Sequence, residues 1–245
     1  MKQVLIIFAL IGLLGCQSQD SRDQANDQTS EKQSIELPAG RYNVAFLIMD
    51  GVYNTELTAP YDIFQHTVFR ENIKPMNVFT VANTYDPVTS FEDMRILADF
   101  NYLTDELPRI DILVVPSAEH HLDTDLEDKA MIKFVRETDR NALFMTSHCD
   151  GAFVLAKAGV LDEKVSTTFP TDVDKMRDMF PELDIRKNVL FVHDGKYITS
   201  AGGARSFEAA LYLCEHLYGP EIARDLAKGL VIDWDLDNVP HLIMK

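Results

Sequence analysis

The stretch Leu143-Phe-Met-Thr-Ser-His-Cys149-Asp-Gly151-Ala-Phe-Val-Leu-Ala-Lys-Ala-Gly-Val-Leu161 runs an apolar strand into a single Cys and continues, past a Gly, as an apolar helix. That order puts Cys149 on a tight strand-to-helix turn, above the carboxyl end of a sheet and among the N–H groups that open the helix. Strand and helix approach closely only where the residues beside the turn are small. Gly151 meets that need on the helix side, and Ser147 is a small residue on the strand side. The positive end of a helix also favours thiolate over thiol, and thiolate is the reactive form. A packed, inert Cys at a strand end fits the same pattern.

Outward from this elbow, strands alternate with helices. Asn43 to Met49 and Ile110 to Val115 are continuous apolar runs, as expected of strands covered on both faces. Asn77 to Ala82 and Ala142 to Thr146 are further strands, and Arg95 to Phe100 is an extension or hairpin. Helices are expected over Glu56 to Phe69, Leu126 to Arg140, Gly151 to Ala158, Asp172 to Met179, Arg205 to Leu217 and Pro220 to Ile232. Asp194-Gly195 forms a hairpin turn between Leu190 to His193 and Lys196 to Thr199. This alternation calls for an α/β fold: a mostly parallel sheet sandwiched by helices, a flavodoxin-like three-layer arrangement with a nucleophile elbow.

The amino terminus reads differently. One Lys precedes an apolar run from Val4 to Leu14, too short to span a bilayer but suited to a signal-peptide core. Leu13-Leu-Gly-Cys16 resembles the lipobox of bacterial lipoproteins, in which the Cys is lipidated and becomes the first mature residue. Residues 1–15 are then a lipoprotein signal peptide, and residues 16–40 the lipidated Cys16 and a disordered tether. The tether is almost wholly polar and cannot bury enough surface to offset its ordering entropy. At this length it spans about 27 Å. Gln17 lacks the acid associated with inner-membrane retention, which favours the outer membrane. The folded domain occupies residues 41–245, and the chain is expected in the cell envelope, periplasm-facing and anchored to a membrane through Cys16.

The formal charge is −16, from 39 acidic and 23 basic residues. So acidic a surface disfavours nucleic acid and anionic lipid as partners. The chain has three Cys, too few for a disulfide scaffold. Cys214 lies in the apolar helical stretch Ala209 to Leu217 and is read as a core residue, with a bridge to Cys149 left open.

Four segments resemble the ThiJ/PfpI family, within the class I glutamine-amidotransferase-like fold. They are Val44-Ala-Phe-Leu-Ile-Met-Asp-Gly-Val-Tyr-Asn-Thr-Glu-Leu-Thr-Ala-Pro-Tyr-Asp-Ile-Phe64, Asp111-Ile-Leu-Val-Val-Pro116, the Cys149 elbow with Ala158-Gly-Val-Leu161, and Asp194-Gly-Lys-Tyr-Ile-Thr-Ser-Ala-Gly-Gly-Ala204. Their shared order covers roughly residues 43 to 232. The resemblance implies that the acid after the first strand, Glu56, hydrogen-bonds the nucleophile Cys149. A carboxyl beside a low-pKa thiol would stay protonated and donate to it, or would move a proton during turnover. As an isolated residue, Glu56 is equally a solvated acid in a first helical turn. Many relatives form dimers, so the resemblance also allows a homodimer.

The chain departs from the family pattern at several positions. Ser117-Ala118 stand where relatives carry Gly-Gly, whose backbone N–H groups form an oxyanion hole. Asp150 follows the Cys where one branch has His and another Thr, and His148 before it should face away. His120 and His121 sit at a strand's carboxyl end, where ligands bind in open α/β sheets. His120 is a candidate base or orienting group, although both fit solvated loop residues. Phe169-Pro170 lack the His that relatives place near the pocket. Arg205 and Glu208 are read as helix-start residues. No metal site and no cofactor are assigned, because Glu119-His120-His121 lacks the ligand number a metal needs.

Two functions fit these residues. In the first, Cys149, assisted by Glu56, attacks an electrophilic carbon of a small-molecule substrate in hydratase-, hydrolase- or glyoxalase-like chemistry. Asp150, Ala118, Ser117 and His120 are then auxiliary residues, with N–H groups near Ala118 and Asp150 holding developing charge. In the second, the domain binds a small ligand or senses oxidative stress through an oxidisable Cys.

Overall fold

The computed structural model describes residues 35–245. The expected signal peptide, lipidated Cys16 and most of the tether lie outside the described residues. In chain order, β1 (Tyr42–Leu47) leads to α1 (Asn54–Gln65), followed by β2 (Met76–Ala82), β3 (Val88–Thr89), β4 (Arg95–Ile96), β5 (Phe100–Asn101) and β6 (Ile112–Val115). Next come α2 (Lys129–Asp139), β7 (Phe144–His148), α3 (Gly151–Lys157), β8 (Val165–Ser166), α4 (Val173–Met179) and β9 (Asp184–Ile185). The chain ends with β10 (Phe191–Asp194), β11 (Tyr197–Ser200), α5 (Ser206–Tyr218), α6 (Pro220–Gly229) and β12 (His241–Ile243).

The main sheet runs β12-β10-β11-β7-β6-β1-β2-β5. All its pairings are parallel except β10 with β11, the hairpin that turns at Asp194-Gly195. Alternation along β1 shows why its run is apolar throughout. Val44 and Phe46 enter one core with α5 and α6, while Ala45 and Leu47 enter the other with α2 and α3. Ile112 and Val114 of β6 face the first core, and Leu113 and Val115 the second. This is the expected three-layer α/β sandwich.

Several boundaries differ from expectation for identifiable reasons. The helix expected to reach Phe69 tightens at Gln65 into a 3-10 turn, His66–Phe69, and the Thr67 hydroxyl ties that turn back to Phe64 O at 2.6 Å. The segment Arg95 to Phe100 divides: β4 pairs with β3, whereas β5 joins the main sheet beside β2. The helix expected from Leu126 starts at Lys129, because the Asp128 side chain accepts from the N–H groups of Ala130 and Met131. Such a cap is worth about 1 kcal/mol. Helix α6 stops at Gly229 rather than Ile232, leaving Val231 at positive φ. Packing begins before Arg41: Ile35 and Leu37 lie against the second core, and Asn77 Nδ2 donates to Pro38 O.

Candidate active site

Parallel strands bring their carboxyl ends to one edge of the sheet, and Cys149 sits there. Register pairs Val115 of β6 with Ser147 of β7, and His148 of β7 with Ser200 of β11. Cys149 therefore leaves the sheet between two neighbours, and its N–H donates to Ser200 O at 2.9 Å. Its φ is +52°, a left-handed backbone that costs an L-residue about 1–3 kcal/mol and holds the side chain at the turn. Two glycines make the bend sterically possible. A Cβ at Gly151 would stand 2.0 Å from Val115 O, and one at Gly202 would stand 2.5 Å from the Cys149 Cβ.

Glu56 comes to the same place from α1. It is buried, and its Oε1 accepts from the Gly203 N–H at 2.9 Å. Burial raises its pKa, partly opposed by that hydrogen bond. Its charge reaches the Cys149 thiol, yet among the described residues no hydrogen bond joins the two groups.

The thiol differs from expectation. Burial pushes the Cys149 thiol up, and the charges of Asp150 and Glu56 push it further; the Ser117 hydroxyl and the Asp150 N–H pull it back. Asp150 is itself pushed up to about 6 by burial and by Asp172. Thr168 Oγ1 donates to Cys149 O at 3.0 Å and lies 3.1 Å from Asp150 Oδ1, so it braces both elbow residues.

The loop after β6 is built differently from the expected oxyanion hole. The Ala118 N–H donates to His121 Nδ1 at 3.2 Å, and the Glu119 N–H to Gly51 O at 3.0 Å. The expected Ala118 donor is therefore occupied within the protein. Between the two loop histidines, the buried one is His121. It has no exposed surface, faces Asp125 Oδ2 at 3.8 Å through Nε2, and burial lowers its pKa to about 3. Its Nδ1 accepts, so the proton of the neutral ring is on Nε2. His120 is half exposed and lies near Glu119 and Asp123 rather than at the thiol. His148 faces away as expected, with Nδ1 2.9 Å from Ser200 Oγ and its pKa lowered to about 3 by burial.

Tyr53 is a site residue that the sequence reading missed. Burial and the nearby charges of Cys149, Glu119, Glu56 and Asp150 all raise its phenol. Its N–H donates to Ser117 O at 3.0 Å, and its ring packs on Phe91 with centroids 4.7 Å apart. The available signal was its place directly before the Asn54-Thr-Glu56 helix start. A cleft of about 280 Å³ lined by Phe169, Pro170, Asn188, Gly202 and Arg205 adjoins the elbow through Gly202. A larger cavity, about 590 Å³, lies at the amino end of β6 among Tyr102, Leu107 and Phe134, away from Cys149. Cys149 and Cys214 are both free, so the Cys149–Cys214 bridge is not formed. Among the described residues no cluster of His, Cys, Asp and Glu has the makings of a metal site.

A parallel α/β sandwich with a strained cysteine at a strand-to-helix elbow, and a buried glutamate from the first helix beside it, defines a class of cysteine-elbow proteins. The sequence profile of the DJ-1/PfpI family matches residues 42–216, and the chain belongs to that family. It is 28% identical over 182 residues to an isonitrile hydratase of Pseudomonas putida, covering 74% of each chain. It is 33% identical over 103 residues to the HTH-type transcriptional regulator CdhR of Pseudomonas aeruginosa, a match spanning 42% of this chain and 30% of the regulator. The crystal structure of Drosophila melanogaster DJ-1beta superposes with a TM-score of 0.68 at 22% identity, covering 79% of this chain and all of that one. That likeness concerns the fold alone.

Proposed function

We propose that the chain is a membrane-tethered enzyme that uses Cys149 as nucleophile, assisted by Glu56, on a small electrophilic substrate in hydratase-like chemistry. The observation that carries this reading is the elbow: a strained, buried Cys149 with a buried carboxyl, biased towards its neutral form, within charge range of the thiol. The thiol is also biased towards its protonated form, so its proton must leave as the sulfur attacks. Cys149 Sγ then adds to a carbon multiply bonded to nitrogen. An S–C bond forms, one π bond breaks, and Glu56 passes a proton to the atom left with the electron pair, the nitrogen of a nitrile or the terminal carbon of an isonitrile, while the thiol proton restores the carboxyl. Water adds to the same carbon and the thiol departs, so the net change is addition of one water. The relative that is an isonitrile hydratase supports this reaction class.

Alkylation of Cys149 as a function of pH, followed by peptide mass spectrometry on the full-length chain with Cys214 as buried reference, tests the reading. Reaction in the neutral range, together with turnover of an electrophile lost in Cys149→Ala, is expected. No labelling below pH 10 would sink it.

A second reading is a ligand-binding or oxidation-sensing domain without turnover, favoured by the same upward push on the thiol. It predicts ligand binding that survives Cys149→Ala. The tether reading rests on Leu13 to Cys16: Cys16→Ala should abolish incorporation of a labelled fatty acid and release the chain from the membrane fraction. We also propose the periplasmic face of the envelope, the outer membrane favoured, with no nucleic-acid partner and with a homodimer as the open oligomeric alternative to a monomer. Sedimentation checks the last point.

A further inference from the structure

We propose that the Ser117 hydroxyl, rather than a backbone amide of its loop, is the donor that receives negative charge at Cys149 and on the first adduct. The proposal rests on the enzymatic reading above and adds a catalytic residue to it.

Three observations place the hydroxyl. The β6–β7 register pairs Val115 with Ser147, and Ser117 and Cys149 each lie two residues beyond that pair, on the turns that follow the two strands. Ser117 has no exposed surface; its Oγ makes no well-formed hydrogen bond among the described residues, and the group it reaches is the Cys149 thiol, whose anion it favours. A buried hydroxyl left unmatched is costly and rarely kept without a use. The Ser117 backbone is held independently of its side chain: its carbonyl accepts from the Tyr53 N–H at 3.0 Å, and Ala118 bridges Val52.

Three backbone donors of the loop are already engaged. The amides of Ala118, Glu119 and His121 donate to His121 Nδ1, Gly51 O and Ala118 O respectively. Around the thiol, Glu56 from α1, Asp150 from the elbow, and Glu119 and Tyr53 nearby contribute carboxyl and phenol groups. In their ionised forms all four oppose a thiolate, and Glu56 is committed to moving the proton of the reaction. The Ser117 hydroxyl is the side-chain donor that favours the anion at sulfur, alongside the Asp150 N–H. A residue with its own donor thus stands where a Gly-Gly loop would offer an amide. Ser117 can turn its proton from the sulfur to the charge that develops on the adduct before Glu56 delivers its proton, without moving the backbone.

Removing a partnered buried hydroxyl normally destabilises a protein, whereas removing an unpartnered one does not. Ser117→Ala in the full-length chain therefore separates a catalytic role from a structural one. Cys149 alkylation at neutral pH should slow about tenfold, as for loss of one hydrogen bond to a charged group. Turnover should fall about 100-fold, while the unfolding midpoint stays level or rises. Ser117→Gly should repeat the loss, and Ser117→Thr should recover most of the rate. Equal alkylation of wild type and Ser117→Ala, with wild-type Cys149 reactive, overturns the Ser117 role and leaves the enzymatic reading standing. Inert wild-type Cys149 overturns both. A fall in reactivity matched by a fall in unfolding midpoint makes Ser117 structural and also overturns the proposal.

Discussion

Gly202 and Cys149 occupy adjoining space with no room for another carbon: a Cβ on Gly202 would lie 2.5 Å from the Cys149 Cβ and 2.6 Å from its backbone nitrogen. Gly202 also has φ +74° and ψ −148°, a region that L side chains avoid. Gly202→Ala should therefore lose about 1–3 kcal/mol from backbone strain alone and push the elbow out of place. Chemical denaturation should show the lowered stability, and the folded fraction should alkylate Cys149 at an altered rate. A variant with unchanged stability would mean that the elbow yields more easily than this packing implies.

Glu56→Gln should separate two effects of one carboxyl. The amide oxygen can still accept from Gly203, but the negative charge that raises the thiol is gone. The midpoint of Cys149 alkylation should therefore shift to lower pH. Turnover should nevertheless fall about 10²–10⁴-fold, because no proton can be passed. A pH series of both quantities on one preparation makes the comparison. If the two move together, Glu56 acts only through charge.

Asp150→Asn removes the largest charge effect on the thiol and retains an oxygen for Thr168. Alkylation at neutral pH should accelerate. Stability should change as well, with a definite sign. The Asp150 pKa is raised in the fold to about 6, so the folded chain holds its proton more tightly than the unfolded one. That contribution is present at low pH and disappears as pH rises from about 4 to about 6. The Asn variant should accordingly gain on the order of 2 kcal/mol over wild type at pH 7, with the gain vanishing near pH 4.

Histidines 121 and 148 set the opposite slope. Burial lowers both to about 3, so the folded state refuses protons that the unfolded state takes up below about pH 6.5. Their contribution is whole above that pH and disappears as pH falls towards 3, each removing about 1.4 kcal/mol per unit. His148→Gln, which can still meet Ser200 Oγ, should flatten the acid limb by one such slope. Equilibrium unfolding at intervals between pH 6.5 and 4 reads this directly, and parallel limbs would show that His148 takes up a proton within the fold.

Much of this architecture is legible from local pattern. Runs such as Ile112 to Val115 announce strands buried on both faces, and the sequence around Cys149 announces the elbow. Other parts depend on contacts between distant residues. Nothing local separates His120 from His121: the two are neighbours, and one becomes buried only because the turn after Ala118 folds it back onto the Ala118 amide. The reach of Gly202 to Cys149 follows from β11 lying beside β7, which no spacing in the chain reveals. Strand β12 is three residues long and draws its definition from β10 beside it. The helix end beside Cys149 is visible in the chain, whereas the desolvation that pushes its thiol up is a property of the assembled site.

The two glycine contacts at the elbow also divide the site into frozen and replaceable parts. At Gly151, facing Val115 O, and at Gly202, facing Cys149, any side chain collides with backbone; these positions admit no chemical variety. Tyr53, Glu56, Ser117 and Asp150 present side chains to the nucleophile from a scaffold that their replacement need not disturb. Divergence into new reactions is therefore confined to a handful of interchangeable groups around an immovable sulfur. A combinatorial library restricted to those four positions would sample most of the catalytic repertoire this scaffold can reach.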